Sequence, residues 1–199
     1  MADLSPRAGQ IVAAARELVE AGGAEALTMR ALAARLGIRA PSLYKHFPDK
    51  SAVEAGLIAI ALAELAAVLE RAERDGGGGG SDGGGLVVLG RAYRAYALAH
   101  PHLYRLMSAG PLPRDLLPAG VEERAASPLV RIVRGEAAAR AVWGLAHGLV
   151  MLELDGRFPP GADVEAAWTA GMSAFAAAVH RAGGGRPGGV RGGGAGRPG

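Results

Sequence analysis

Apolar residues recur along most of this chain at the three- and four-residue spacing of an amphipathic helix, and alternating strand-like runs are missing. Ile11, Ala14, Ala15, Leu18 and Val19 make the first stripe. Ser5-Pro6 opens it as a cap and first-turn proline, and Gly22-Gly23 stops it. A second helix is expected over 29–36 with Thr28 as its cap, and a third over 40–47, ended by Pro48. Asp49 is placed to cap a fourth helix running from Lys50 to about Arg74, a rod of ~37 Å at 1.5 Å per residue. Further helices are expected over 86–99, 101–109, 127–134, 136–154 and 163–181, with the proline-bearing stretch 110–120 as a loop. The fold class predicted is all-α.

Composition narrows what such a fold can do. The 199 residues include no cysteine, which excludes disulfides, thiolate zinc sites and cysteine nucleophiles and suits a reducing cytoplasm. The N-terminus has no basic segment followed by an apolar stretch. The longest apolar run, 57–69, is broken by Glu64 and falls well short of the ~20 residues of a membrane span. A soluble cytoplasmic protein is expected. The net charge of +3 comes from Arg181, Arg186, Arg191 and Arg197 in an acid-free tail rather than from the body. Glycine concentrates in 76–85 and 183–199, so a flexible loop over 75–85 and a disordered tail over 182–199 are expected. Gly78, Gly80 and Gly83 satisfy G-x-G-x-x-G, but no strand precedes them and no Gly-Lys-Ser/Thr follows, so a loop is the better reading. His100-Pro101-His102 lacks helical metal spacing, and the five histidines fit no triad or zincin order. No metal, cofactor or enzymatic activity is expected.

The informative stretch is 28–50, T-M-R-A-L-A-A-R-L-G-I-R-A-P-S-L-Y-K-H-F-P-D-K. Leu32, Ala33 and Leu36 give one apolar face, Gly37 supplies a left-handed corner residue, and Ile38, Leu43 and Phe47 cover the corner from the other side. Arg39, Ala40, Pro41, Ser42, Tyr44, Lys45 and His46 then point outward. From Arg30 to Lys50 there are five bases and one acid, on a chain otherwise near neutral. A short helix fits the ~12 Å major groove of DNA, and positive charge supplies affinity for its backbone.

These residues closely resemble the DNA-binding domain of the tetracycline-repressor (TetR) family. The resemblance runs from Gln10 through Leu57, and Leu-Tyr-x-His-Phe with a following x-x-Lys, Leu43 to Lys50, is its most specific part. It implies phosphate contacts from Thr28, Tyr44 and Lys50, and base-edge contacts from Arg39, Ala40, Pro41, Ser42 and Lys45. Tyr44 could instead fill the core, and His46 could either hold the corner or touch phosphate. The division implied is a DNA-binding domain over 1–50 and a ligand-binding and dimerisation domain over 51–181.

The stretch 86–158 resembles a C-terminal domain of the family marked by Trp-x-x-x-His-Gly, here Trp143, His147 and Gly148. Trp143, His147 and Met151 share a helical stripe. With Tyr93, Tyr96, Leu103, Tyr104 and Met107 they could line a pocket for a small apolar effector, or simply pack as core. Gly144 and Gly148 inside a strong helix suggest close approach by another helix. A stripe of Gly171, Ala174 and Ala178 beside Trp168, Met172 and Phe175 suits the two-fold four-helix seam that the resemblance implies, with packing inside the chain as the alternative. The reading is a homodimeric regulator released from a palindromic operator by a ligand. The alternative is an effector-independent DNA-binding dimer.

Overall fold

The computed structural model describes residues 5–76 and 84–184, and within them the chain is helical throughout, with no strand. The elements are α1 (Pro6–Gly22), α2 (Met29–Arg35), α3 (Ala40–Leu43), α4 (Lys50–Asp75), α5 (Gly84–Ala99), α6 (Pro101–Ser108), α7 (Val121–Val133), α8 (Glu136–Leu154) and α9 (Val164–Gly184). Most of the glycine loop and nearly all of the tail expected to be flexible lie outside the described residues.

The caps are local and read directly. Ser5 Oγ accepts from Ala8 N–H, Thr28 Oγ1 from Ala31 N–H, and Asp49 Oδ1 from Ala52 N–H, each satisfying an amide that the first turn leaves free. Gly37 takes φ +64, and the amides of Gly37 and Ile38 return to the carbonyls of Ala34 and Ala33. This Schellman closure makes the corner between α2 and α3.

Two boundaries differ clearly from the expectation. Regular α3 stops at Leu43 rather than Phe47, because the amides of His46 and Phe47 both converge on the Leu43 carbonyl. Pro48 disfavours helical geometry at Phe47, whose ring turns inward to 7% exposure. Helix α7 starts at Val121, six residues earlier than predicted, with Pro128 inside it rather than at its first turn. Glu122 and Glu123 favour the positive end of that helix, and two bidentate pairs, Arg124–Glu70 and Arg131–Glu73, fasten it to α4. The loop 110–120 also contains a short 3-10 turn, Arg114–Leu116.

Two apolar cores result. The first gathers Ile11, Val12, Ala15 and Val19 of α1, Leu32 of α2, Leu43 and Phe47, and Val53, Leu57 and Ala61 of α4, with Leu103 of α6 inserted into it. The second gathers Leu65 and Leu69 of α4 with Leu89 and Tyr93 of α5, Val142 and Val150 of α8, and Trp168 and Met172 of α9. The boundary expected at residue 50 therefore falls at the start of a helix that serves both cores. An 18-residue window of α4 reaches a mean hydropathy of 2.1, enough by length and composition for a membrane span, and half of it is buried in these cores.

Trp168 and Met172 correct the expectation of a dimer seam. They are 2% and 1% exposed within the protomer, and Met172 lies where a side chain on Gly90 would stand, 2.9 Å from its Cβ position. Their large stripe is already spent on the chain's own core. Met172→Ala should lower unfolding free energy by about 2–5 kcal/mol in urea melts, the range for a buried large-to-Ala change. Arg131 also holds the Glu73 carboxylate below its usual range through their hydrogen bonds. The stability lost in Glu73→Gln should therefore be full above the unfolded carboxylate value of about 4.3 and fade as pH falls through the lower folded value. Melts of the two proteins across that acid range check it.

Candidate functional site

The corner of α2 and α3 presents a positively charged surface. Tyr44 is 51% exposed and stands outside the core, so it does not fill the corner as its alternative reading supposed. Thr28, Arg39, Pro41, Lys45 and His46 are exposed, and Ala40 and Ser42 half-buried; Thr28 and Arg39 to Ser42 sit at the N-termini of α2 and α3, and Lys45 and His46 just past the end of α3. The side chain of His46 makes no hydrogen bond among the described residues. Arg35 is tied to Glu17 of α1 in an exposed pair, so its charge is partly spent.

Lys50 differs from the other bases. Its Nζ donates to the Ala24 carbonyl at 3.2 Å and pairs with Glu54 one turn on, also at 3.2 Å. The ammonium thus bridges the start of the α1–α2 connection and the first turn of α4, and a phosphate would have to compete with Glu54 for it.

The residues predicted to line a pocket are divided by the structure. Tyr93, Tyr104 and His147 meet, with the Tyr93 and Tyr104 hydroxyls 2.9 Å apart and the Tyr104 hydroxyl 2.7 Å from His147 Nδ1. The two tyrosine rings are edge-to-face at 5.9 Å and 89°. Burial pushes both phenols up from their ordinary value, so they remain neutral hydrogen-bonding groups at physiological pH. Trp143 lies 6.1 Å from the His147 ring yet is 53% exposed, so it sits at the protomer surface rather than inside a closed cavity. Met107 and Met151 are half-buried nearby in the second core. Leu103 belongs to the first core, and Tyr96 turns away to the Ala61 carbonyl and Glu64.

Among the residues expected at a seam, Gly144, Ala174 and Ala178 are exposed and Gly148 is half-buried, and side chains built at the two glycines would meet nothing within 4 Å. Gly171 and Phe175 face their own chain instead. A Cβ at Gly171 would meet Leu145 at 3.1 Å, and Phe175 packs on the second core.

Sequence reasoning missed Arg94. It forks onto Glu153 of α8 at 2.8 and 2.7 Å and reaches Glu165 of α9 at 2.7 Å, fixing both helices against α5. Its partners lie 59 and 71 residues away, and no local spacing signals them.

Known proteins resemble the chain over both parts. The model of the tetR family of bacterial regulatory proteins matches residues 11–53, and that of the tetracyclin repressor-like C-terminal domain matches residues 86–175. The chain is 32% identical over 180 residues to the uncharacterized HTH-type transcriptional regulator Rv0681 of Mycobacterium tuberculosis, covering 86% of this chain and 80% of that protein. A solved protein of unknown function from Rhodococcus sp. RHA1 superposes with a TM-score of 0.73 at 25% identity, over 89% of this chain and 97% of that one. A TetR variant from Acinetobacter baumannii, solved in complex with minocycline, shares the fold with a TM-score of 0.63 at 24% identity, over 87% and 96% of the two chains. With a capped helical corner of the right charge, and a relative this similar along most of its length, the chain belongs to the tetR family and is a DNA-binding transcriptional regulator.

Proposed function

We propose that the protein is a homodimeric repressor of the Trp-x-x-x-His-Gly subgroup that binds a palindromic operator and is released by a small apolar ligand. The observation that carries the DNA half is the exposed set Arg39, Tyr44, Lys45 and His46 on a rigid, capped corner. Thr28, Tyr44 and Lys50 take phosphates, and Arg39, Ala40, Pro41, Ser42 and Lys45 face base edges. For Lys50 this means exchanging Glu54 for phosphate on binding. Two such corners on a two-fold axis read half-sites about one helical turn apart or a multiple of it.

The seam is assigned to the small-residue faces of α8 and α9, through Gly144, Gly148, Ala174 and Ala178, with exposed Trp143 and Leu152 beside them. An effector is assigned to the hydroxyl and imidazole groups of Tyr93, Tyr104 and His147, which give an apolar ligand something to orient on. These three groups already satisfy one another, and that favours a second reading in which the C-terminal half only dimerises. A small-molecule library read by thermal shift separates the two, since only the first gives a ligand that both raises Tm and lowers operator affinity.

DNA selected by the protein from a random pool supplies the operator for the following tests. Lys45→Ala should change which bases are preferred, whereas Lys50→Ala should weaken all sequences alike and reduce the salt slope by about 0.9. A Lys50→Ala protein with an unaltered salt slope would show that Lys50 keeps Glu54 and leaves phosphate to others. Gly148→Leu and Ala174→Glu should each yield monomers in sedimentation with helical content retained, and an unaltered dimer in both places the seam elsewhere.

A further inference from the structure

Between the two cores lies a cluster of charged and polar groups that the reading above does not use. Arg16 of α1 donates through both Nη atoms to Glu64 of α4, at 2.5 and 3.0 Å. The Tyr96 hydroxyl of α5 donates to the same carboxylate at 3.3 Å and to the Ala61 carbonyl at 3.2 Å. One turn further along α1, Glu20 meets His100 Nδ1 at the α5–α6 corner, at 2.9 Å. Glu64 stands between Ala61 of the first core and Leu65 of the second, at the point along α4 where the packing changes hands.

The geometry has a mechanical meaning. The unit formed by α1–α3 is joined covalently to the rest of the protomer only through α4, and a body carried on one helix can rock about it. Leu103 links the two by apolar contact, which resists separation but is not directional. A bidentate guanidinium–carboxylate pair fixes both distance and orientation. The Glu64 hydrogen bonds hold Arg16 still more firmly protonated, and burial keeps the Tyr96 phenol neutral, so the donors persist across the physiological range.

We propose that Arg16, Glu64 and Tyr96 form a joint that sets the angle of the DNA-binding unit on the body, with Glu64 the positioning residue that determines which half-site spacing the dimer accepts. This rests on the dimeric operator reading above. A small rotation at the joint is amplified at α3, because Glu64 stands about 21 Å along α4 from Lys50, where the DNA-binding unit joins it. In the dimer the rotation counts twice, once for each protomer, and it appears as spacing rather than as base preference.

The test uses the full chain and duplexes carrying two selected half-sites with the spacer altered by about one and about two base pairs. Wild type should prefer one spacing. Glu64→Gln, nearly isosteric, should bind that duplex within about threefold of wild type while its discrimination between spacings falls by about two- to fivefold, the scale of a partly exposed ion pair. The exchanged pair Arg16→Glu with Glu64→Arg should recover discrimination. An equal loss at every spacing, or no loss at any, overturns the proposal.

A DNA-free arm keeps the joint decidable if the operator reading itself fails. The chain has no cysteine, so spin labels at Ala34→Cys on α2 and Ala126→Cys on α7, both exposed, report one intramolecular distance in protein diluted with unlabelled chains. Glu64→Gln should broaden that distance distribution, and an unchanged width overturns the joint whatever the DNA shows. Failure of the random pool to yield paired half-sites, with broadening intact, overturns the dimeric operator reading and the spacing role while the joint stands.

Discussion

One unbroken helix sets the terms for this molecule. The 26 residues of α4 extend about 39 Å, and successive turns of the same stripe are buried in two different cores. No loop separates the two parts, so a displacement of one is passed to the other by bending, tilting or twisting this rod, and through α6 where it packs on α1. The other elements are arranged around that constraint. Helices α1–α3 close over its first turns, α5 lies along it, and α7 is fastened to its far end by the Glu70 and Glu73 pairs.

The DNA-facing corner was legible in the sequence because everything that shapes it is local. Caps act over three residues, the Gly37 turn over five, and the basic excess over about twenty. The pairing of large side chains across the second half was not legible, since both alternatives place aromatic and sulfur-bearing residues at helical spacing. Trp168 and Trp143 each sit on a stripe that could face a core or a partner, and only the packed fold shows Trp168 inside and Trp143 outside. Helix α7 misled for a related reason. Ser127-Pro128 reads as a start signal, but Arg124 and Arg131, seven residues apart on one face, bind two glutamates of α4 and carry the helix through the proline. Likewise the short junction after Val133 is made by Arg134 in left-handed geometry at φ +55, an uncommon conformation for a residue with a Cβ.

Long-range polar contacts were the largest blind spot. Arg16, Arg94, Arg124 and Arg131 each reach a carboxylate at least 48 residues away, and each ties its own helix to at least one other. Such pairs contribute little to net stability when half-exposed. Their directionality nevertheless fixes the relative rotation of helices that apolar packing alone would let slide. The use of arginine rather than lysine at every one of them follows from its planar fork, which engages both carboxylate oxygens at once.

Leu103 has a consequence for modularity. It is fully buried in the first core, where its helix packs on α1 and α4, although that helix begins more than fifty residues beyond the DNA-binding unit. The reader of DNA is therefore not a cassette that can be cut at the start of α4 and grafted onto another body. A transplant would need the first three turns of α4 and a leucine-sized plug from its new host. Without that plug the graft carries a hole where the two halves of the protein have been fitted to each other.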